Sequence, residues 1–145
     1  MKDEIIIREA EIEDSEAIAK LGIQLGKEVT TEEIAKRLKE MKDDNLQKTF
    51  VAEENGAILG WVNVTAYKEI LSGTQARIGG LVVDINTRGK GIGRKLMDMT
   101  EEWAREKGSK SMKLNSNTKR IEAHTFYEKI GYTKVKEQAS FKKDL

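Results

Sequence analysis

The spacing of apolar and polar positions changes along the chain, and each change marks an element. Glu4–Arg8 (EIIIR) is a short continuous apolar run and predicts a buried strand. After a helix start at Asp14 or Ser15, the residues Ile18, Leu21, Gly22 and Leu25 share one helical face. Thr30 with Glu33 three residues later makes a capping-box arrangement, opening a second helix with Ile34, Leu38 and Met41 as its stripe. The period then drops to two. Two β-rich runs flank Asn55-Gly56, a strong hairpin signal. Thr74–Ile85 is a further strand interrupted by Gly79-Gly80, which fits a bulge, a close backbone approach or a simple adjustment of twist. A helix follows from about Gly91 to Lys107, with Ile92, Leu96, Met99 and Trp103 inward and Gly108 stopping it. Ser111–Asn117 reads as a strand, Arg120–Ile130 as a helix ended by Gly131, and Tyr132–Glu137 and Ser140–Lys143 as two last strands. The order βααββ, then β, α, β, α, β, β, predicts an α/β (α+β) fold: a mixed sheet with helices on its faces.

Composition narrows the function. A chain of 145 residues is the size of a single domain, here spanning 1–145. It is rather polar, with 38% hydrophobic and 35% charged residues, but the periodic apolar runs predict a folded domain. The net charge of +1, with acids and bases interleaved, argues against a general nucleic-acid binder, so any basic patch is local. Without cysteine there is no disulfide, thiol nucleophile or cysteine metal site, and the single His124 argues against a zinc enzyme; no metal is expected. No apolar run is long enough for a bilayer span, and the apolar core of the N-terminal segment is short for a signal peptide. A cytoplasmic protein without a membrane partner is the default expectation. The chain has no proline, so Gly, Asn, Asp and Ser must make the turns.

The chemistry concentrates in Arg88–Leu96, RGKGIGRKL. A strand, a glycine turn and a helix start form an anion site, because the first helical amides have no internal partner and the helix dipole adds roughly half a positive charge there. Arg88, Lys90, Arg94 and Lys95 add charge. A Walker loop requires Lys followed by Ser or Thr, but Gly91 follows Lys90. A dinucleotide fingerprint fails at Leu96 or Arg94 in its third position, and no acid lies between Lys107 and Ile121 to hold a ribose. A flexible basic turn without a ligand is the plain alternative. Placement between strand and helix favours anion binding over it.

These residues resemble the acetyl-CoA signature of the GNAT superfamily of N-acetyltransferases. The signature, R/Q-x-x-G-x-G/A after a strand, is met by Arg88, Gly91 and Gly93 within LVVDINTRGKGIGRKLM. RIEAHTFYEKIGY resembles the family's other recurrent segment, at the expected separation with a strand between. With the βααββ start, the resemblance spans nearly the whole chain. It implies a central mixed, mostly antiparallel sheet of six to seven strands flanked by four helices. One departure is Ile85, where many members carry proline, which alters the rigidity of the turn.

The resemblance also implies roles. Acetyl-CoA would be the co-substrate, its pyrophosphate on the loop of Arg88, Gly89, Lys90, Gly91, Ile92, Gly93 and Arg94. Its pantetheine arm would pair with the backbone of Leu81, Val82 and Val83 as an added strand. Asn117 matches a position that often holds the pantetheine amides, although it reads equally as a turn residue. Ala123 and Phe126 would pack near the cofactor. Tyr127 matches the family's frequent general acid: a phenol with a pKa of about 10 stays protonated at pH 7 and can donate to a leaving thiolate. An amide at Val82 or Val83 would stabilise the oxyanion of a tetrahedral intermediate. By helical spacing alone Tyr127 would be a core aromatic, and the motif around it favours catalysis.

An attacking amine with a pKa of about 10.4 is neutral in about one molecule in a few thousand at pH 7, so a base is needed. Glu69 is the best candidate, although most acids so placed are solvated loop residues. His124 is discounted as that base, since a lone helix histidine is more often exposed or packed. Tyr67 and Trp61 are candidates to line the acceptor site, with plain packing the alternative.

The leading function is acetyl transfer by direct attack of a primary amine on a small molecule or peptide. The alternatives are a non-catalytic acyl-CoA-binding or sensing module, and a nucleotide-binding protein of another class. Homodimers are common in the resembled family, so self-association is a further expectation.

Overall fold

The computed structural model describes residues 4–87 and 89–145. Two compact units are present, one running to Leu114 and the other covering Asn115–Leu145. The first unit carries a five-stranded sheet in the order β1 (Ile6–Glu9), β2 (Gln47–Glu54), β3 (Ala57–Glu69), β4 (Gly73–Val83) and β5 (Met112–Lys113). Neighbouring strands are antiparallel except β4 and β5, which are parallel. Helices α1 (Ser15–Gly22), α2 (Thr31–Met41) and α3 (Ile92–Glu106) belong to this unit, and α4 (Ile121–Lys129) to the second. The fold is therefore α+β with a mixed, mostly antiparallel sheet. Among the described residues, no helix is long and apolar enough to cross a membrane.

Local chemistry explains the elements. Asn55 and Gly56 both adopt positive φ, 50° and 81°, the geometry of a two-residue turn whose twist matches its strands. Glu54 and Ala57 pair across it. Thr30 caps α2: its hydroxyl accepts from the Glu33 amide at 3.1 Å while the Glu33 carboxylate reaches back to the Thr30 backbone. The Arg8 guanidinium grips Asp14 at 2.8 and 2.9 Å and Glu53 at 3.0 Å, joining β1, β2 and the turn before α1.

The core lies between the sheet and these helices. Val51, Ala52, Val62, Val64 and Ala76 from the sheet are fully enclosed, as are Leu96 and Met97 of α3. Each large side chain so enclosed contributes about 1.5–3 kcal/mol. The buried stripe of α3 runs through Ile92, Leu96, Met97, Thr100, Trp103 and Ala104; Met99, expected inward, is half-buried. Gly60 lets α3 come down on β3. A Cβ there would meet the Val82 carbonyl oxygen at 2.9 Å, Leu96 at 3.2 Å and Ile92 at 3.4 Å.

The sheet has five strands among the described residues where six to seven were expected. Tyr132–Glu137 and Ser140–Lys143 form no strand. Alternation splits the first of these into Tyr132, Lys134 and Lys136 on one side and Thr133, Val135 and Glu137 on the other. Neither side is an apolar set that pairing would bury, and Val135 is 84% exposed. The strand expected over Ser111–Asn117 shrinks to Met112–Lys113. Asn117 instead closes a turn, its side-chain oxygen accepting from the Lys119 amide at 2.9 Å, a local bond that competes with a ladder.

Candidate active site

The glycine loop sits where strand pairing ends and a helix begins. β4 finishes at Val83, and Asp84 accepts from the amide of Thr87 at 3.0 Å to turn the chain. Gly89 and Gly91 then take positive φ, 93° and 73°, which side chains with a Cβ rarely adopt. Gly91 is the N-cap of α3 and offers no side chain to cap it. The first bond that α3 makes back to its cap runs from Lys95 to Gly91 at 3.1 Å. Among the described residues, the Gly93 and Arg94 amides donate to no carbonyl. No acid stands in the first turn of α3. Lys90 reaches Glu54 at 3.2 Å, and Arg94 and Lys95 are exposed. Helix end and side chains together give a positive, donor-rich mouth. The expected phosphate contact at Arg88 lies outside the described residues.

Beside this mouth, β4 has a neighbour on one side only over much of its length. Pairing with β5 covers Ala76 with Met112 and Arg77 with Lys113; among the described residues, Ile78 to Val83 pair with β3 alone. Leu81, Val82 and Val83 are therefore on an open edge. Val82 is buried, and Leu81 and Val83 are half-buried. The glycine pair sits at a true register shift, the extra residue being Gly79 between the pairs Ile78–Val64 and Gly80–Asn63. It is also a close approach. A Cβ on Gly79 would meet Asn63 Oδ1 at 2.8 Å, and one on Gly80 the Trp61 ring at 3.0 Å.

A groove of about 210 Å³ opens at this shift, lined by Ile18, Ile34, Leu38 and Met41 on the helices and Trp61 and Asn63 on β3, with Arg37, Thr49 and the two glycines completing it. Trp61 thus lines a groove, as the sequence allowed. Its indole Nε1 is buried without an acceptor among the described residues. Tyr67 instead lies against the Arg77 guanidinium, 5.5 Å from the ring centroid. The α2 residues in the groove carried no distinguishing signal, because an apolar stripe looks the same whether it faces a core or a cleft. Their half-buried state separates the two.

Glu69 is the last residue of β3, paired with Gly73 at the hairpin. It accepts from the Ser72 hydroxyl at 3.1 Å and lies 3.9 Å from the Lys113 ammonium. Six residues of strand, roughly 20 Å, separate Gly73 from Gly79.

The second unit holds Asn117, His124 and Tyr127. α4 ends with the two backbone bonds of a Schellman motif: Gly131, at φ 104°, donates to Glu128 at 3.1 Å, and Tyr132 donates to Tyr127 at 2.9 Å. That closure packs the Tyr132 ring edge-on against Tyr127, with centroids 6.0 Å apart, while Phe126 sits 5.3 Å away. Tyr127 is half-buried. Burial pushes its phenol above the ordinary value, and the charge of Arg120 pulls the other way. His124 Nε2 lies 2.9 Å from the Asn117 carbonyl oxygen, so the lone histidine ties the helix to the preceding turn. The Asn117 side chain is engaged with Lys119.

Known proteins share this architecture. Residues 11–132 match the model of the acetyltransferase (GNAT) family. An uncharacterized N-acetyltransferase of Bacillus subtilis, YhdJ, is 32% identical over 111 residues, covering 76% of this chain and 78% of its own. The aminoalkylphosphonate N-acetyltransferase of Salmonella typhimurium is 34% identical over 83 residues, 57% of this chain and 54% of its own. The crystal structure of glucosamine-6-phosphate N-acetyltransferase from Arabidopsis thaliana superposes with a TM-score of 0.84 at 29% identity, over 97% of this chain and 99% of that one. A donor-rich helix mouth beside an open strand edge is an arrangement that can take an extended ligand ending in phosphate. The chain belongs to the acetyltransferase (GNAT) family, and it is an N-acetyltransferase.

Proposed function

We propose that this enzyme carries an acetyl group from acetyl-CoA to the primary amine of a small molecule. The observation that carries the reading is the pairing of an uncapped helix mouth at Gly91–Arg94 with the open β4 edge at Ile78–Val83. The coenzyme's diphosphate takes up the amides of Gly93 and Arg94, with Gly89, Lys90, Gly91 and Ile92 shaping the loop. Its pantetheine lies along Val83, Val82 and Leu81 and directs the thioester to Gly79-Gly80, where the groove opens. The neutral amine attacks the thioester carbonyl. The new C–N bond forms, an oxyanion develops against a β4 amide such as that of Val82 or Val83, and the C–S bond breaks. Tyr127 supplies a proton to the departing thiolate, and the proton that the attacking nitrogen sheds on becoming an amide passes to water, from which the phenol is restored. The burial of Tyr127 supports its donor role by keeping the phenol protonated well into alkaline pH. Asn117 holds the arm's amides through whatever capacity its turn leaves free. Glu69 stands roughly 20 Å along the strand from Gly79, beyond the reach of proton abstraction there either directly or through one bridging water, so the proposed base is solvent water. The names of relatives acting on an aminoalkylphosphonate and on glucosamine 6-phosphate support a small amine over a peptide.

Acetyl-CoA at a hundredfold over its dissociation constant should raise stability by about 2.7 kcal/mol. A melting shift with acetyl-CoA, absent with ATP and NAD, is the expected result; no shift with acetyl-CoA refutes the reading. Tyr127→Phe should lower kcat about a hundredfold at neutral pH, measured by free-thiol release, while acetyl-CoA binding persists. Full turnover by that variant at every pH would remove Tyr127 from the mechanism. The stability linked to the raised phenol pKa is complete below about pH 10 and is lost as pH climbs through the folded-state value.

A further inference from the structure

The lining of the groove specifies its occupant more closely than "an amine". Its walls are Ile18, Ile34, Leu38, Met41 and the Trp61 ring, and no carboxylate is among the residues that form it. A polycation would bring several ammonium groups into an apolar slot with nothing to pair them, a heavy desolvation penalty. The size points the same way. About 210 Å³ falls below the roughly 300–1,000 Å³ that encloses a drug-sized ligand. Among the described residues that line it, the groove's charge is a single cation, Arg37. Its ion pair with Glu33 is long, 3.5 Å, and solvent-exposed, and Glu33 is already committed to capping Thr30. A guanidinium has five N–H donors in a planar fork, and this contact engages one nitrogen, NH2.

Resting on the proposed acetyl transfer, we propose that the acceptor is a small primary amine with an apolar body and one anionic group, carboxylate or phosphonate. The body occupies the slot against Trp61, Leu38 and Met41. The anion meets Arg37 on α2, and the amine is presented at Gly79-Gly80, where the thioester arrives. Arg37 is a specificity residue that selects the acceptor's far end and takes no part in bond making.

The test uses the full chain, acetyl-CoA and free-thiol release with three amine series: ω-aminocarboxylates and ω-aminoalkylphosphonates of three to six carbons, matched n-alkylamines, and the polyamine spermidine. Anion-bearing amines should exceed the matched alkylamines in kcat/KM by at least about tenfold, with an optimum chain length, and spermidine should rank last. Arg37→Gln, a helix-compatible change at an exposed site, should erase that advantage through a rise in KM for the anion-bearing series that exceeds any change for the alkylamines. Acetyl-CoA affinity, measured by calorimetry, should not move in the variant. Alkylamines or spermidine matching the anionic series would overturn the proposal, as would equal losses for every series in Arg37→Gln. Tight acetyl-CoA binding with no turnover of any anionic amine would also overturn it. A failure to bind acetyl-CoA at all is a separate result and strikes the underlying reading instead.

Discussion

The starts of α2 and α3 are built on opposite plans. At α2 the chain satisfies its own helix end: Thr30 caps, Glu33 caps back, and Glu32 and Glu33 place negative charge on the positive end of the dipole. At α3 the N-cap is Gly91, the third helical position is Arg94 instead of an acid, and no carboxylate occupies the first turn. The start of α1 resembles α2 in this respect, since Glu16 lies in its first turn and Asp14 precedes it, held by Arg8. One helix mouth in the first unit thus lacks the protein's own counter-charge, and it is the one beside the open strand edge. Uncompensated donors cost stability, and in the proposed reading the coenzyme's diphosphate offsets that cost at this mouth.

The comparison can be broken most forcefully by giving α3 the acid that α2 has. Arg94→Glu copies Glu33 at the same helical position. It should weaken acetyl-CoA binding roughly a hundredfold in calorimetry, while the fold stays within about 1 kcal/mol of its original stability in denaturant titration. Unchanged affinity would mean that the mouth of α3 does not meet the diphosphate.

The next largest effect concerns α1. Asp14→Asn should cost about 2 kcal/mol at neutral pH, because Arg8 loses its charged partner. The Arg8 guanidinium, helped by the Glu11 amide, holds the Asp14 carboxyl below the usual range. Its folded-state pKa is therefore lower than its unfolded one. The stability it contributes is complete above about pH 4 and is lost as pH falls through the folded value. Acid titration of unfolding should show that loss in the original protein and a flatter profile in Asp14→Asn. Equal slopes would separate Asp14 from the acid limb.

Smallest is Thr30→Ala, which should remove about 1 kcal/mol of stability and leave acetyl-CoA affinity within about twofold. A large affinity loss there would blur the distinction between a self-sealed mouth and a receptive one.

The sequence made some of this plain and hid the rest for physical reasons. Asn55-Gly56, the Thr30–Glu33 box and the glycines of Gly89–Gly93 are local signals, each acting within a few residues, and each reads directly. Gly131 is another, since one left-handed residue both stops α4 and brings Tyr132 against Tyr127. The groove was hidden because Ile34, Leu38 and Met41 carry the same spacing that a core face would, and Arg37 reads as one more solvent-facing charge. Tyr132–Glu137 and Ser140–Lys143 look like strands in sequence and form none, because alternation is a necessary sign of a strand and pairing is the sufficient one. Glu69 lies near the central strands in sequence, and its place at a hairpin emerges only from their register.

Gly60 carries a last consequence. With no side chain at that point, Ile92 and Leu96 come down directly on β3. The start of α3 is thereby bolted to β3 at Gly60, which pairs with Val83 at the end of β4, and the span from the helix mouth to the strand bulge becomes a fixed gauge. In the proposed reading, a coenzyme laid along that gauge meets a rigid length that carries its reactive carbon to the bulge at Gly79.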